Sequence, residues 1–271
     1  MKKILAILLV VVLSMSCIAV FAACKKNQTD SEYILEKKTL VCGITLYEPM
    51  NYFNEDGDLI GFDTEFAEAV AKKLGVEAKF QVIKWSSKEI ELNSKYIDCI
   101  WNGFTVNDER KENIEFTQSY LNNSQCVVVK AANLSAYTSN ASCKGKKAAV
   151  ETGSAGESTA KELFKVENSE TLNGEIVPAA AQTNALTEVL SGSADFAVVD
   201  VILANSMVGK GDYAGLAIAT AVKLEPEEYA IGFRKGSDMA EKVNKAIDEL
   251  LADGTLEKIA KTYGVEGQLI K

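Results

Sequence analysis

The chain has 271 residues, of which 47% are hydrophobic and 25% charged, a balance typical of one large or two modest soluble domains. Its formal net charge of -9 argues against nucleic-acid binding, which needs a basic surface. Histidine is absent, which excludes Ser-His-Asp and Cys-His catalysis and removes the commonest zinc ligand.

The amino terminus has the organisation of a secretory signal. Two lysines precede an apolar run over residues 4–12, and small residues lead up to a cysteine. The apolar stretch is also long enough for an uncleaved transmembrane anchor, and plain secretion is the other alternative. Ala22-Ala23-Cys24 resembles the lipobox of bacterial lipoproteins, which implies a signal peptide over 1–23 and a lipid on Cys24. The polar residues 24–37 are predicted to form a flexible lipid-anchored linker.

Four cysteines remain in the predicted folded part: Cys42, Cys99, Cys126 and Cys143. The first three lie in apolar, strand-like runs, where a buried thiol packs as a small hydrophobic group. An exported protein could oxidise them, but they form no close-spaced pair and no zinc-type spacing. We therefore expect no metal site, no other cofactor and no disulfide.

Strand and helix patterns alternate from Leu40 onward, which predicts an α/β protein. The predicted strands are 40–44, 79–83, 98–101, 125–130, 147–150, 175–178, 195–199 and 229–233. The predicted helices are 64–74, a short one after Asn107, 156–164, 183–190, and two after residue 236. Asp63 is placed to cap the helix 64–74, and Gly75 to end it. Small polar residues over 131–142 separate two α/β runs.

Several segments of the chain, in this order, match the motifs of one family. They are 40–44 (LVCGI), 61–63 (GFD), 97–111 (IDCIWNGFTVNDERK), 153–154 (GS), 194–200 (ADFAVVD) and 232–237 (GFRKGS). On these motifs the chain resembles the bacterial extracytoplasmic solute-binding proteins for polar amino acids, such as the glutamine- and lysine/arginine/ornithine-binding proteins. The resemblance spans about residues 40–263.

The resemblance implies a two-lobed periplasmic-binding-protein-like fold, with two hinge strands and a ligand cleft between the lobes. Lobe 1 would comprise 38–120 plus 229–271, and lobe 2 would comprise 125–224. The hinge would then be 121–124 and 225–228. The change in composition after residue 130 agrees with a first crossing at this point.

A free amino acid enclosed between lobes loses the hydration of both its charges, so each charge needs a fixed partner. Arg110 suits the carboxylate because its planar guanidinium can donate two parallel hydrogen bonds. Spacing alone also allows a solvated helix arginine, and the resemblance favours the ligand contact. Asp200 follows the predicted strand 195–199, at the strand end where α/β sheets bind ligands. The resemblance assigns Asp200 to the α-ammonium, and a helix N-cap is its other interpretation.

The resemblance also implies that Gly103 and Thr105 contact the ligand through a backbone or hydroxyl group. Ser154 and Ala155 precede a predicted helix, so their N–H groups can point at a carboxylate. Tyr47 and Trp85 match the aromatic positions that flank the ligand side chain, although either could be an ordinary core aromatic.

The amino acid itself is not predicted. Ile44 occupies a position where related proteins often carry an aspartate that holds the ligand side chain. The residues that could substitute for this aspartate are Glu48, Glu151 and Asn102.

The resemblance implies a substrate-binding lipoprotein of an amino-acid ABC importer, which is not an enzyme. It would lie outside the cytoplasm, anchored to the cell membrane, as a monomer whose partners are a free L-amino acid, a permease and an ATPase. One alternative is a dehydratase-like enzyme on the same fold. Another is a ligand-sensing module for a receptor.

Overall fold

A mixed sheet runs through the part of the chain that the computed structural model describes, residues 28–271 without Asn168 and Glu170. The predicted signal peptide and the Cys24 lipidation site lie outside the described residues. Within the described ranges, no helix is both long and apolar enough to cross a bilayer.

Strands and helices alternate along the chain, as the sequence pattern predicts. The strands are β1 (Thr39–Ile44), β2 (Tyr52–Phe53), β3 (Leu59–Ile60), β4 (Glu77–Val82), β5 (Cys99–Thr105), β6 (Ile114–Phe116), β7 (Leu121–Lys130), β8 (Lys147–Glu151), β9 (Glu175–Ala179), β10 (Phe196–Asp200), β11 (Leu216–Ile218) and β12 (Pro226–Arg234). The helices are α1 (Asp30–Lys37), α2 (Phe62–Leu74), α3 (Lys88–Asn93), α4 (Asp108–Asn113), α5 (Ala155–Phe164), α6 (Gln182–Ser191), α7 (Val201–Met207), α8 (Met239–Ala252) and α9 (Thr255–Thr262).

The sheet order, β4-β1-β5-β12-β7-β10-β8-β9, divides the molecule into two lobes. Parallel pairs β1/β4 and β1/β5 belong to lobe 1, and parallel pairs β8/β9 and β8/β10 belong to lobe 2. Strands β7 and β12 run antiparallel between the lobes and pair residues 121–124 with 226–229. The predicted crossings, 121–124 and 225–228, overlap this pairing, and we propose the paired residues as the hinge.

Amphipathic helices cover the faces of the sheet. In α8 the buried side chains Val243, Ile247 and Leu250 recur at helical spacing, and α8 packs against α2. Burial of each such side chain stabilises the fold by roughly 1.5–3 kcal/mol. The helices thereby hold the carboxyl ends of the strands, and the loops that follow them, in fixed positions around the cleft between the lobes.

The prediction of a flexible linker up to residue 37 is wrong for its second half, which forms helix α1. Thr29 and Glu32 make a capping box, and Ile34 is fully buried. The Nε–H of Arg234 is shared between the two carboxylate oxygens of Asp30, at 3.0 and 2.8 Å. A capped helix with a buried apolar residue and a largely buried ion pair has enough contacts to stay on lobe 1.

We expect Asp30→Ala to lower the free energy of unfolding by about 1–3 kcal/mol, because Arg234 would stay buried without the carboxylate that now accepts its Nε–H. Urea unfolding of the purified folded part measures this. Asp56→Ala, in an exposed loop, is the matched control and should change stability by less than about 0.5 kcal/mol. Equal stabilities of the two variants would show that the ion pair does not hold α1.

Asp63 is not the cap of α2, contrary to the sequence-based prediction. The helix begins one residue earlier, at Phe62, and the Asp63 carboxylate accepts hydrogen bonds from the Gly103 N–H at 2.8 Å and the Tyr120 hydroxyl at 3.1 Å. Donors from distant elements thus converge on one oxygen of this carboxylate, Oδ2, and these bonds fix β5 beside the cleft.

Candidate functional site

A cavity of about 10 Å³ lies in the cleft, and both lobes line it. Lobe 1 contributes Trp85, Asn102, Gly103, Thr105 and Arg110. Strand β7 and lobe 2 contribute Gln125, Glu151, Ser154, Ala155, Gly156, Gln182 and Asp200. The structure therefore brings together the predicted site residues, with the exception of Tyr47.

Arg110 is buried at the edge of this cavity, with 8% of its surface exposed. It lies in α4, which Asn107 caps by accepting a hydrogen bond from the Arg110 N–H at 2.8 Å. Nη1 donates to the Thr105 carbonyl at 2.7 Å, and the guanidinium lies 4.6 Å from the centre of the Phe104 ring. These contacts hold the group in place and leave other guanidinium N–H donors for an anion. The interpretation as a solvated helix arginine is wrong.

Asp200 is held in the same cavity by three amide side chains. Its Oδ1 accepts from Asn123 Nδ2 at 2.9 Å and from Gln125 Nε2 at 2.5 Å, and its Oδ2 accepts from Gln182 Nε2. Among the described residues, its side chain makes no capping hydrogen bond to α7, although Asp200 directly precedes that helix. The carboxylate is 5% exposed and has a fixed orientation, so it is available to a cation.

A second carboxylate, Glu227, lies beside Asp200, and the sequence analysis did not find it. The two carboxylates are close because β7 pairs with both β12 and β10. Glu227 lies opposite Asn123, and Asp200 lies opposite Gln125. Glu227 Oε1 accepts from Thr105 Oγ1 at 3.1 Å, Asn123 Nδ2 at 2.6 Å and Gln125 Nε2 at 2.8 Å. One signal was available, because Asn123 and Gln125 are two positions apart in a strand and so share one face.

The two ends of the site differ in charge. Burial lowers the pKa of Arg110, and the nearby carboxylates of Glu227 and Asp200 act in the opposite direction. Burial, and then the charge of Asp200, raises the pKa of Glu227 to about 7. The site thus pairs a fixed guanidinium with a carboxylate-rich end, which suits a ligand that carries both charges.

The amino terminus of α5 borders the same cavity. The Ser154 hydroxyl accepts from the Glu157 N–H at 3.1 Å, and the Ser154 N–H donates to the Glu151 carbonyl at 3.1 Å. Ala155 is the first residue of α5, so its N–H has no intrahelical acceptor. The helix end favours an anion near the Ala155 N–H.

Asn102 and Gly103 support the cavity wall through contacts within lobe 1. The Asn102 amide accepts from Thr45 Oγ1 at 2.6 Å and donates to the Thr45 carbonyl at 2.8 Å and to Asn51 Oδ1 at 2.7 Å. The Gly103 N–H already donates to Asp63, so it is not a free donor for a ligand. The Asn102 side chain is likewise fully used in positioning the loop after β1.

Of the two aromatic residues predicted to flank the ligand, only Trp85 lines the cavity. Trp85 lines it and packs edge-on against Phe104, with ring centres 5.5 Å apart. Tyr47 instead packs its hydroxyl against Gly103, whose φ of 54° and lack of a Cβ permit this close approach. A side chain at position 103 would overlap Tyr47, which explains why glycine is needed there.

Three carboxyls near the cleft, two of them buried and that of Glu227 half-buried, make stability depend on pH. Burial raises the pKa of Glu151 to about 8, and burial raises the pKa of Glu227 and of Asp63 to about 7. Each carboxyl binds its proton more tightly when folded, so stability is lost as the pH rises through these values. We expect the thermal midpoint of the ligand-free protein to fall between about pH 5 and pH 8. A midpoint that rises over this window would contradict the assignment, and Glu227→Gln should flatten the decrease.

Comparison with known proteins places these features in a family. The model of the bacterial extracellular solute-binding proteins, family 3, matches residues 40–266. The arginine-binding extracellular protein ArtP of Bacillus subtilis (strain 168) is 33% identical over 248 residues, which cover 89% of this chain and 91% of ArtP. The L-cystine-binding protein TcyJ of Escherichia coli (strain K12) is 32% identical over 232 residues, which cover 85% of this chain and 84% of TcyJ.

Solved structures show the same architecture. An ancestral arginine-binding protein bound to arginine has a TM-score of 0.76 and 33% identity, covering 83% of this chain and 98% of that protein. The ancestral amino acid-binding protein AncCDT-1, a precursor of cyclohexadienyl dehydratase, has a TM-score of 0.76 and 27% identity, covering 86% of this chain and 98% of that protein. With a family model that spans most of its length and two relatives above 30% identity, the chain belongs to family 3 of the bacterial extracellular solute-binding proteins.

Proposed function

We propose that this solute-binding protein captures a free L-amino acid between its lobes and delivers it to the permease and ATPase of an ABC importer. In this proposal Arg110 binds the α-carboxylate, with help from the Ala155 N–H, and Asp200 binds the α-ammonium. Thr105 and Ser154 contribute hydroxyl groups, and Trp85 packs on the ligand side chain.

One observation carries the proposal: a buried guanidinium and a buried carboxylate, from opposite lobes, line the same small cavity. An enclosed zwitterion needs this pair of opposite charges, because its own two charges lose their hydration. Neighbouring side chains fix both groups before a ligand arrives, so little rotamer entropy is lost on binding. The named relatives, which bind arginine and cystine, agree with an amino-acid ligand.

The cellular part of the proposal rests on the amino terminus. Export by a signal peptide and a lipid on Cys24 would hold the protein at the outer face of the cell membrane, next to its permease. Metabolic labelling with an alkyne fatty acid tests this, with Cys24→Ala as the variant that should lose the label. Cys17→Ala is the control, because Cys17 is the competing cysteine of the signal and should not be needed.

A dehydratase-like enzyme is the second candidate, and Glu151 is the observation that favours it. A buried carboxyl with a pKa of about 8 keeps its proton near neutral pH and could act as a general acid. The resemblance to a precursor of cyclohexadienyl dehydratase is consistent with such chemistry.

A thermal-shift screen of the twenty amino acids, cystine, ornithine, prephenate and arogenate tests both candidates. Selective ligands raise the midpoint by mass action. We expect an amino acid to bind and to be recovered unchanged by NMR after prolonged incubation. Conversion of prephenate or arogenate would instead support the enzyme, and the absence of any stabilising amino acid would refute the capture function.

A further inference from the structure

Glu151 is a buried carboxylate in the cavity that lacks a partner of its own. It is the last residue of β8, it is 3% exposed, and it lines the cavity together with Trp85 and Asp200. Among the residues that the structure describes, its Oε1 is fully buried without a hydrogen-bond partner. Buried polar groups are nearly always satisfied, so an unsatisfied one in a binding cavity indicates that the ligand is its partner.

The other candidates for the side-chain partner are excluded by their positions. Glu48 is exposed and lines a separate groove of about 300 Å³. The Asn102 amide is fully used within lobe 1, and amide donors already hold Asp200 and Glu227. Of the acidic residues that line the cavity, Glu151 is therefore the one whose carboxylate the protein leaves unpaired.

The nearest cation does not neutralise Glu151 by a direct contact. Lys88 donates from Nζ to the Gly153 carbonyl at 3.0 Å and to the Trp85 carbonyl at 3.4 Å. Lys88 lowers the pKa of Glu151 from a distance, while burial and the Asp200 charge raise it by more. An ionised Glu151 in this place needs a cation from outside the protein, since an unpaired buried charge is costly.

We propose that Glu151 determines specificity by pairing with a positively charged nitrogen in the ligand side chain, so that the ligand is a cationic amino acid. The proposal rests on the proposed function, because it assumes that Arg110 and Asp200 hold the α-carboxylate and α-ammonium. In related proteins an aspartate at the position of Ile44 often holds the ligand side chain. In this proposal Glu151 has that role from the opposite lobe, at the end of β8.

Calorimetry with matched ligands tests the pairing. L-Citrulline has the shape of L-arginine with a neutral urea in place of the guanidinium, and L-norleucine is the corresponding neutral partner of L-lysine. We expect at least one cationic ligand to bind about tenfold or more tightly than its neutral match. Glu151→Gln should remove this preference and leave the affinity for the neutral ligand within about threefold. Glu48→Gln, the control for an acid outside the cavity, should keep the preference.

The pH dependence gives a second measurement that needs no variant. The titratable groups whose charge influences the pKa of Glu151, or is influenced by it, are Lys88, Asp200 and the Tyr47 phenol. Because citrulline and arginine share their α-groups, the ratio of their affinities cancels the titration of Glu227. The ratio should rise, by at most about tenfold per pH unit, from pH 6 to pH 8, as Glu151 releases its proton to pair with the cation.

The outcomes separate this inference from the proposed function. Three results would each overturn the role of Glu151. The first is equal binding within both pairs, arginine with citrulline and lysine with norleucine. The others are an arginine-to-citrulline affinity ratio that does not change with pH, and a Glu151→Gln variant that keeps the preference for the cationic ligand. Tight binding of neutral or acidic amino acids alone would do the same while the capture function stands. If no amino acid binds, both proposals fail together.

Discussion

Arg110→Ala is expected to weaken amino-acid binding by about 2–5 kcal/mol, which corresponds to roughly 30- to 5000-fold in Kd. The variant would leave the ligand carboxylate enclosed without its charge partner, and most of the loss is the penalty for that unpaired charge. Arg110→Lys should recover only part of the affinity, because an ammonium cannot donate the two parallel bonds of a guanidinium.

Calorimetry on the variant and the wild type measures this loss. Lys111→Ala is the matched control, because Lys111 lies on the same helix and carries the same charge but is exposed. Thermal unfolding must show that both variants fold. Affinity equal to the wild type in the Arg110→Ala variant would remove Arg110 from the site and with it the main argument for a zwitterionic ligand.

Asp200→Asn is expected to cost a similar amount, about 2–5 kcal/mol of binding free energy. Asparagine keeps the shape but removes the negative charge. It would also present an amide nitrogen to the donors of Asn123, Gln125 or Gln182, which now converge on both carboxylate oxygens. The ligand α-ammonium would then lose its nearest charge partner and face a neutral group.

A double-mutant cycle identifies which end of the ligand Asp200 binds. The wild type and the Asp200→Asn variant are each titrated with the preferred amino acid and with its analogue that lacks the α-amino group. We expect the analogue to bind both proteins almost equally. Asp195→Asn, at the exposed position just before β10, is the control. A loss of the same size for the analogue would show that Asp200 acts on the protein and not on the α-ammonium.

Local patterns were sufficient to predict the α/β alternation and two central residues of the site. Arg110 follows a helix cap at Asn107, and Asp200 ends an apolar strand, so sequence neighbours alone fix where each lies on its element. Such signals are short-range, because helix caps and strand ends depend on residues within a few positions. The role of each residue came from the family resemblance.

Local patterns failed wherever a side chain finds its partner in a distant element. Asp63 has the right position for a helix cap, but its carboxylate instead accepts a hydrogen bond from the Gly103 N–H, 40 residues away. Cys42 and Cys99 show the same effect, because the pairing of β1 with β5 brings their sulfur atoms to 3.7 Å although 57 residues separate them. Spacing along the chain carries no information about such pairs.

The cleft itself is the clearest product of tertiary structure. Glu227 enters the site because β12 lies beside β7. Glu151 is identified as the unpaired acid of the cavity because three amide side chains hold Asp200, the other acid that lines it. Residue patterns along the chain predicted the α/β alternation, and the family resemblance predicted the two-lobed fold and the two charges of the site. Which groups remain unpaired, and therefore what the ligand must supply, depends on contacts between strands far apart in sequence, since only burial makes an unpaired charge costly.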